Sequence, residues 1–90
     1  MTTTVIAHHE VNDTEHWLAS PKREELFGPI GVGVRTFVNP ENPTHVAVLL
    51  DLPDTVSMDD LQTLLQSEAG VEAEEYDGVR MDTMMIFVEK

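Results

Sequence analysis

Residues 5–17 read VIAHHEVNDTEHW. These thirteen positions hold three of the four histidines, three acidic residues and the only tryptophan. Imidazoles beside carboxylates can bind a metal, move a proton, or hydrogen-bond within a core. The backbone that carries them decides which of these is open. Thr3 to Val11 alternates and is rich in β-branched residues, which predicts a strand. On a strand, His8 and His9 point to opposite faces and cannot share one metal ion. His8 lies with Ile6 and Glu10; His9 lies with Val5, Ala7 and Val11. Small Ala7 leaves room beside His9. A half-buried imidazole next to an apolar hollow is the makeup of a small-molecule pocket, with His9 as general base or acid.

The other polar groups rank behind His9. Asp13 is expected to cap the helix that follows, and its functional version is an orienter of His9. Trp17 would be core or a pocket wall. His16 follows Asp13 at i+3, but no H-E-x-x-H or paired-carboxylate constellation is present, so no metal is expected. Arg35 is the single charge inside the second predicted strand, placed to pair with an acidic neighbour or to hold an anionic ligand. Tyr76, after the second helix, offers a hydroxyl to a ligand. Ala7, Trp17, Arg35 and Tyr76 are therefore the ligand-contact candidates. With no cysteine there is no thiolate ligand or thiol nucleophile. There is no G-x-S-x-G, and Gly31 and Gly33 lie inside a predicted strand rather than in a phosphate loop. No cofactor is expected.

The elements that must position these residues read β-α-β-β-α-β. The first helical region starts at Asn12 or Asp13 and is broken at Pro21, with Ser20 before it as a new start. IGVGVRTFV and HVAVLLDL are the second and third strands, paired as a hairpin through NPENPT. The second helix starts at a Ser57/Asp60 capping signature, presents Leu61, Leu64 and Leu65, and is expected to stop at Gly70. VEAEEYDG adds a further helical turn, and RMDTMMIFVEK is the fourth strand. This order predicts one α+β domain over residues 1–90: a ferredoxin-like four-stranded antiparallel sheet with helices on one face.

Both faces of that sheet are apolar. Val46, Val48 and Leu50 oppose Ala47 and Leu49, and Met84, Ile86 and Val88 oppose Met85 and Phe87. Helices cover one face only, so a second copy of the chain is expected on the other, closing a dimeric α/β barrel. Seventeen acidic residues against five basic ones give a net charge of −12, which excludes a nucleic-acid surface and disfavours anionic membranes. It fits solubility by self-repulsion or a high-salt source. No apolar run approaches the ~20 residues of a membrane span, so a cytoplasmic protein is expected.

The pattern His9-x-Val11-x-Asp13-x-x-x-Trp17 resembles the opening of small proteins of the dimeric α/β-barrel superfamily, the antibiotic-biosynthesis-monooxygenase-like group. FVNPENPTHVAVLLDLPD is similar to that group's second hairpin, and DDLQTLLQSEAGVEAEEYDGV to its second helix and the loop after it. The likeness covers nearly the whole chain; the helix broken at Pro21 departs from it. It implies a cavity between sheet and helices in each subunit. It also implies cofactor-free oxygenation or cyclisation of an aromatic or polyketide-like compound, and for such chemistry the strand-face reading offers His9 as the candidate base. The alternative is a noncatalytic binding, regulatory or assembly module. The haem-degrading branch is set aside, because strand one carries His8 and His9 and the second helix has no histidine.

Overall fold

The computed structural model describes residues 3–90; Met1 and Thr2, part of the domain expected over 1–90, lie outside the described residues. The elements are β1 (Thr3–Val11), α1 (Thr14–Ala19), α2 (Lys22–Phe27), a single 3-10 turn (Gly28–Ile30), β2 (Gly33–Val38), β3 (His45–Leu52), α3 (Met58–Gln66), α4 (Glu68–Asp77) and β4 (Val79–Val88). The strands form one antiparallel sheet in the order β2-β3-β1-β4. This is the ferredoxin-like α+β arrangement, with each predicted helical region divided in two. No helix among the described residues is long and apolar enough to cross a membrane.

The core lies between the sheet and the helices. Val5, Val11, Val46, Val48, Leu50 and Leu52 point into it from β1 and β3 and meet Trp17, Phe27 and Leu61 from the helices. The alternation of β3 is complete, with every second residue from Val46 to Leu52 buried. On the other face of the sheet, Ile6, Phe37, Met85 and Phe87 are 42–53% exposed.

Local chemistry explains the breaks. Asp13 caps α1 through the backbone N–H of His16, and Pro21 cannot continue that helix. Ser57 and Asp60 form a reciprocal capping box on α3. The expected helix stop at Gly70 is not there. α3 ends at Ser67, whose hydroxyl starts α4 by accepting the backbone N–H of Gly70. Gly70 sits inside α4, pressed against the end of α3: a Cβ there would stand 2.3 Å from the Leu64 carbonyl oxygen. The glycine answers to close packing, and the stop falls to Gly78, whose φ is 70°. Gly31 likewise is not in β2; it ends the 3-10 turn at φ 77°.

β1 and β4 are not zipped evenly. His8 faces Met85, whereas Glu10 faces Arg80, so β4 carries three more residues than β1 across this step. The bulge is held by Thr83, whose hydroxyl accepts from the Glu10 N–H and donates to the Arg80 carbonyl. His9 lies beside it.

Candidate functional site

His9 is 3% exposed and faces the helices, as its place with Val5, Ala7 and Val11 requires. Its Nδ1 lies 3.3 Å from the Glu10 carbonyl oxygen. A carbonyl only accepts, so Nδ1 carries the proton and Nε2 keeps its lone pair. The ring meets the edge of Trp17 at 5.9 Å between centroids, with the planes 82° apart. A cavity of about 70 Å³ opens beside these two residues. Its apolar wall includes Ala7, Leu26, Phe27, Val48 and Met84. Its polar wall is His9, Arg23, Glu74 and Asp77.

Arg23 and Asp77 were not foreseen from the sequence. α2, which begins after the break at Pro21 and packs on α4, carries Arg23, whose guanidinium lies 4.2 Å from the centre of the Trp17 ring. Nη1 of Arg23 donates to Oδ2 of Asp77 at 3.1 Å, and Nη2 donates to the Trp17 carbonyl at 2.6 Å. Asp77 is buried, at 4% side-chain exposure, and Arg23 is largely covered, at 12%. Oδ1 of Asp77 is buried and meets no donor among the described residues. Burial presses the Arg23 guanidinium below its ordinary value, and Asp77 opposes the shift. Burial pushes the Glu74 carboxyl up.

The remaining candidates lie elsewhere. Asp13 is exposed and occupied as a helix cap, and the Glu10 carbonyl, not Asp13, fixes the His9 ring. Arg35 is on the opposite face of the sheet, 4.0 Å from Asp51 and 65% exposed at the side chain, because β2 register pairs it with outward-facing Leu49. Tyr76 belongs to α4 rather than a loop. It is exposed, with the His16 ring tilted 41° against it at 4.8 Å and Lys22 5.2 Å from its ring centre. The His16 Nε2 donates to the Tyr76 carbonyl at 2.7 Å. Ala7, His9 and Trp17 come together at the cavity; Arg35 and Tyr76 do not reach it. Among the described residues, no group of three histidine or acidic side chains is placed to hold a metal ion.

Burial is the main cause that lowers the His9 imidazole below its ordinary 6.5; the hydrogen bond to Glu10 opposes it, and the charges of Arg23, His45 and His8 add to the lowering. The unfolded chain therefore binds a proton at His9 at a higher pH than the folded chain does. This contribution to stability is complete above 6.5 and is lost as pH falls through the lowered folded value. Denaturant titrations of the wild type and His9→Gln across this range should show a shallower pH slope in the variant, by up to about 1.4 kcal/mol per pH unit. Equal slopes would place the imidazole in water.

No family model matches the chain, and no curated protein does. Solved structures do. An antibiotic biosynthesis monooxygenase aligns with 98% of this chain and 96% of its own length, at 18% identity and a TM-score of 0.63. A Bordetella bronchiseptica protein whose name ascribes it to the same monooxygenases aligns over 99% and 95%, at 15% identity and 0.71. A conserved protein from Methanosarcina mazei aligns over 100% and 92%, at 14% identity and 0.65. The likeness at such identities is one of fold. The chain has the ferredoxin-like α+β fold of the antibiotic-biosynthesis-monooxygenase-like proteins.

Proposed function

We propose that this chain is a small-molecule-binding protein whose ligand enters the cavity between β1 and the helices, with His9 accepting a hydrogen bond or a proton from it. The cavity itself carries the reading. A histidine serving only the core would be packed on all sides, whereas here about 70 Å³ beside its ring is lined mainly by apolar side chains. The volume sets the scale of the ligand. An apolar cavity of roughly 150 Å³ takes up benzene, so this one holds a few heavy atoms. A polyketide-sized compound needs the helices to part. In the finer reading, proton abstraction at Nε2 of His9 starts cofactor-free oxygenation or cyclisation, in line with the names of similar structures.

The arrangement of Arg23 favours a second reading, binding without turnover. Both of its terminal nitrogens are engaged, by Asp77 and by the Trp17 carbonyl. It is the one cationic side chain among the cavity's described lining residues. An anion formed on the ligand would compete with Asp77 for the Arg23 charge and would face the carboxylates of Glu74 and Asp77.

Xenon and n-butanol test the pocket directly. Both should shift the His9 and Trp17 NMR signals saturably, and Ala7→Leu, which fills the space, should abolish the shifts while the fold survives. Unmoved signals in the wild type would remove the reading. Turnover is a separate matter: an active enzyme should lose it in His9→Ala.

A second copy of the chain is the partner we propose. What supports it is the exposed apolar face of Ile6, Phe37, Met85 and Phe87, opposite the helices. The 10.1 kDa chain should then sediment at twice that mass. Phe87→Glu places one charge per copy in the seam and should weaken association by about a hundredfold or more. A wild type that sediments as a single chain at micromolar concentration would refute the pairing.

A further inference from the structure

Apart from Arg23, the polar wall of the cavity consists of acceptors. His9 spends its one proton on the Glu10 carbonyl, which leaves Nε2 an acceptor. Asp77 is buried, and its Oδ1 has no donor. Glu74 lies three residues earlier on α4, which puts its carboxyl on the same side of the helix. The nearest cation is already engaged, since Arg23 gives one N–H to Oδ2 of Asp77 and another to the Trp17 carbonyl, and neither bond reaches Oδ1 of Asp77. A buried carboxylate oxygen left without a donor is costly and rare, and it is intelligible when a ligand supplies the proton.

We propose that this cavity is an amine site. Resting on the small-molecule reading above, the proposal names the ligand class: a small organic cation whose ammonium head meets Oδ1 of Asp77, the carboxylate of Glu74 and Nε2 of His9. Its short apolar tail lies against Leu26, Phe27 and Met84. An ammonium brings three donors to three acceptors. Charge points the same way. Arg23 and Asp77 cancel, Glu74 leaves the wall negative, and the chain as a whole carries −12, which draws cations toward it. A carboxylate ligand would be repelled, and an alcohol would satisfy one acceptor and leave the others unmet. The burial that already pushes the Glu74 carboxyl up is what a neighbouring ammonium would offset.

The test titrates the whole chain at neutral pH with n-butylamine, n-butanol and n-butyrate, and with xenon as an uncharged probe of the space. The readouts are the His9 and Trp17 NMR signals. The amine should bind at least about tenfold more tightly than the alcohol, butyrate should not bind, and added salt should weaken the amine alone. Glu74→Gln and Asp77→Asn should each remove most of the amine's advantage and leave xenon uptake in place. Glu74 is partly exposed, so its variant decides the matter if Asp77→Asn does not fold. Alcohol binding as tight as amine binding, or an amine preference intact in Glu74→Gln, would overturn the amine assignment and leave the pocket standing. Failure of all four probes, xenon included, would remove the pocket and the amine site together.

Discussion

Arg23→Met should destabilise the chain by about 3–5 kcal/mol, because it leaves the Asp77 carboxylate buried without its cation. Proteins of this size hold only about 5–15 kcal/mol in all. Each kcal/mol moves the melting temperature of such a domain by roughly 4–8 °C. The melt should therefore fall by on the order of 15–30 °C. Methionine keeps much of the packing over Trp17, so the loss reads the charge and the two hydrogen bonds. Asp77→Leu alone should cost a similar amount, and the double variant should recover most of it, since an apolar pair can replace a buried ion pair with little penalty. Thermal melts of the four proteins close the cycle. An Arg23→Met protein within about 1 kcal/mol of the wild type would show that water reaches the pair.

Gly70→Ala should be the second most damaging single change, at about 3 kcal/mol or more. An alanine in a helix normally gains about 1 kcal/mol over glycine. Here the sign reverses. The new methyl would stand 2.3 Å from the Leu64 carbonyl oxygen and 2.6 Å from that of Leu65, and both are backbone atoms that cannot swing aside. α3 and α4 would have to separate at Ser67, next to the cavity that Gly70 also lines. Gly28→Ala is the contrast. Its φ is −56° and its nearest neighbour is a Glu24 side-chain oxygen at 3.8 Å, so it should be neutral or stabilising by up to about 1 kcal/mol. Denaturant melts of the two variants, run together, separate close packing from a general glycine effect. A neutral Gly70→Ala would refute the tight junction.

The fold was largely legible because its signals are local. β1 has the bounds its alternation predicts, the Pro21 break divides the first helical region, and Ser57 with Asp60 opens α3 as a capping box. The face assigned to His9 followed from strand parity alone. Glycine was harder to read, since the same residue serves a stop, a left-handed turn or a close contact. Gly31 and Gly78 end helical segments at positive φ, whereas Gly70 makes a close contact, and a single chain does not distinguish the two roles. The site was half legible. Ala7, His9 and Trp17 sit within one short stretch whose geometry parity and helix spacing define. Asp77 reaches Arg23 from 54 positions away, and nothing in an Asp-Gly pair at a helix end announces a buried ion pair. Arg35 was open to both a ligand and a neighbour, and its outward register gives it to Asp51.

The bulge opposite His9 has a mechanical consequence. Strand β4 is tethered at both ends of the step, by Val79 against Val11 and by Met85 against His8, with spare length in between. Met84 falls between the two ladders, beside the Thr83 that staples the bulge, and is part of the cavity wall. Excising residues 81–83 would draw the two ladders into one register and lay Met84 directly across from His9. The wall of the hollow on the β4 side would then be a continuous ladder, without Thr83 and its two hydrogen bonds.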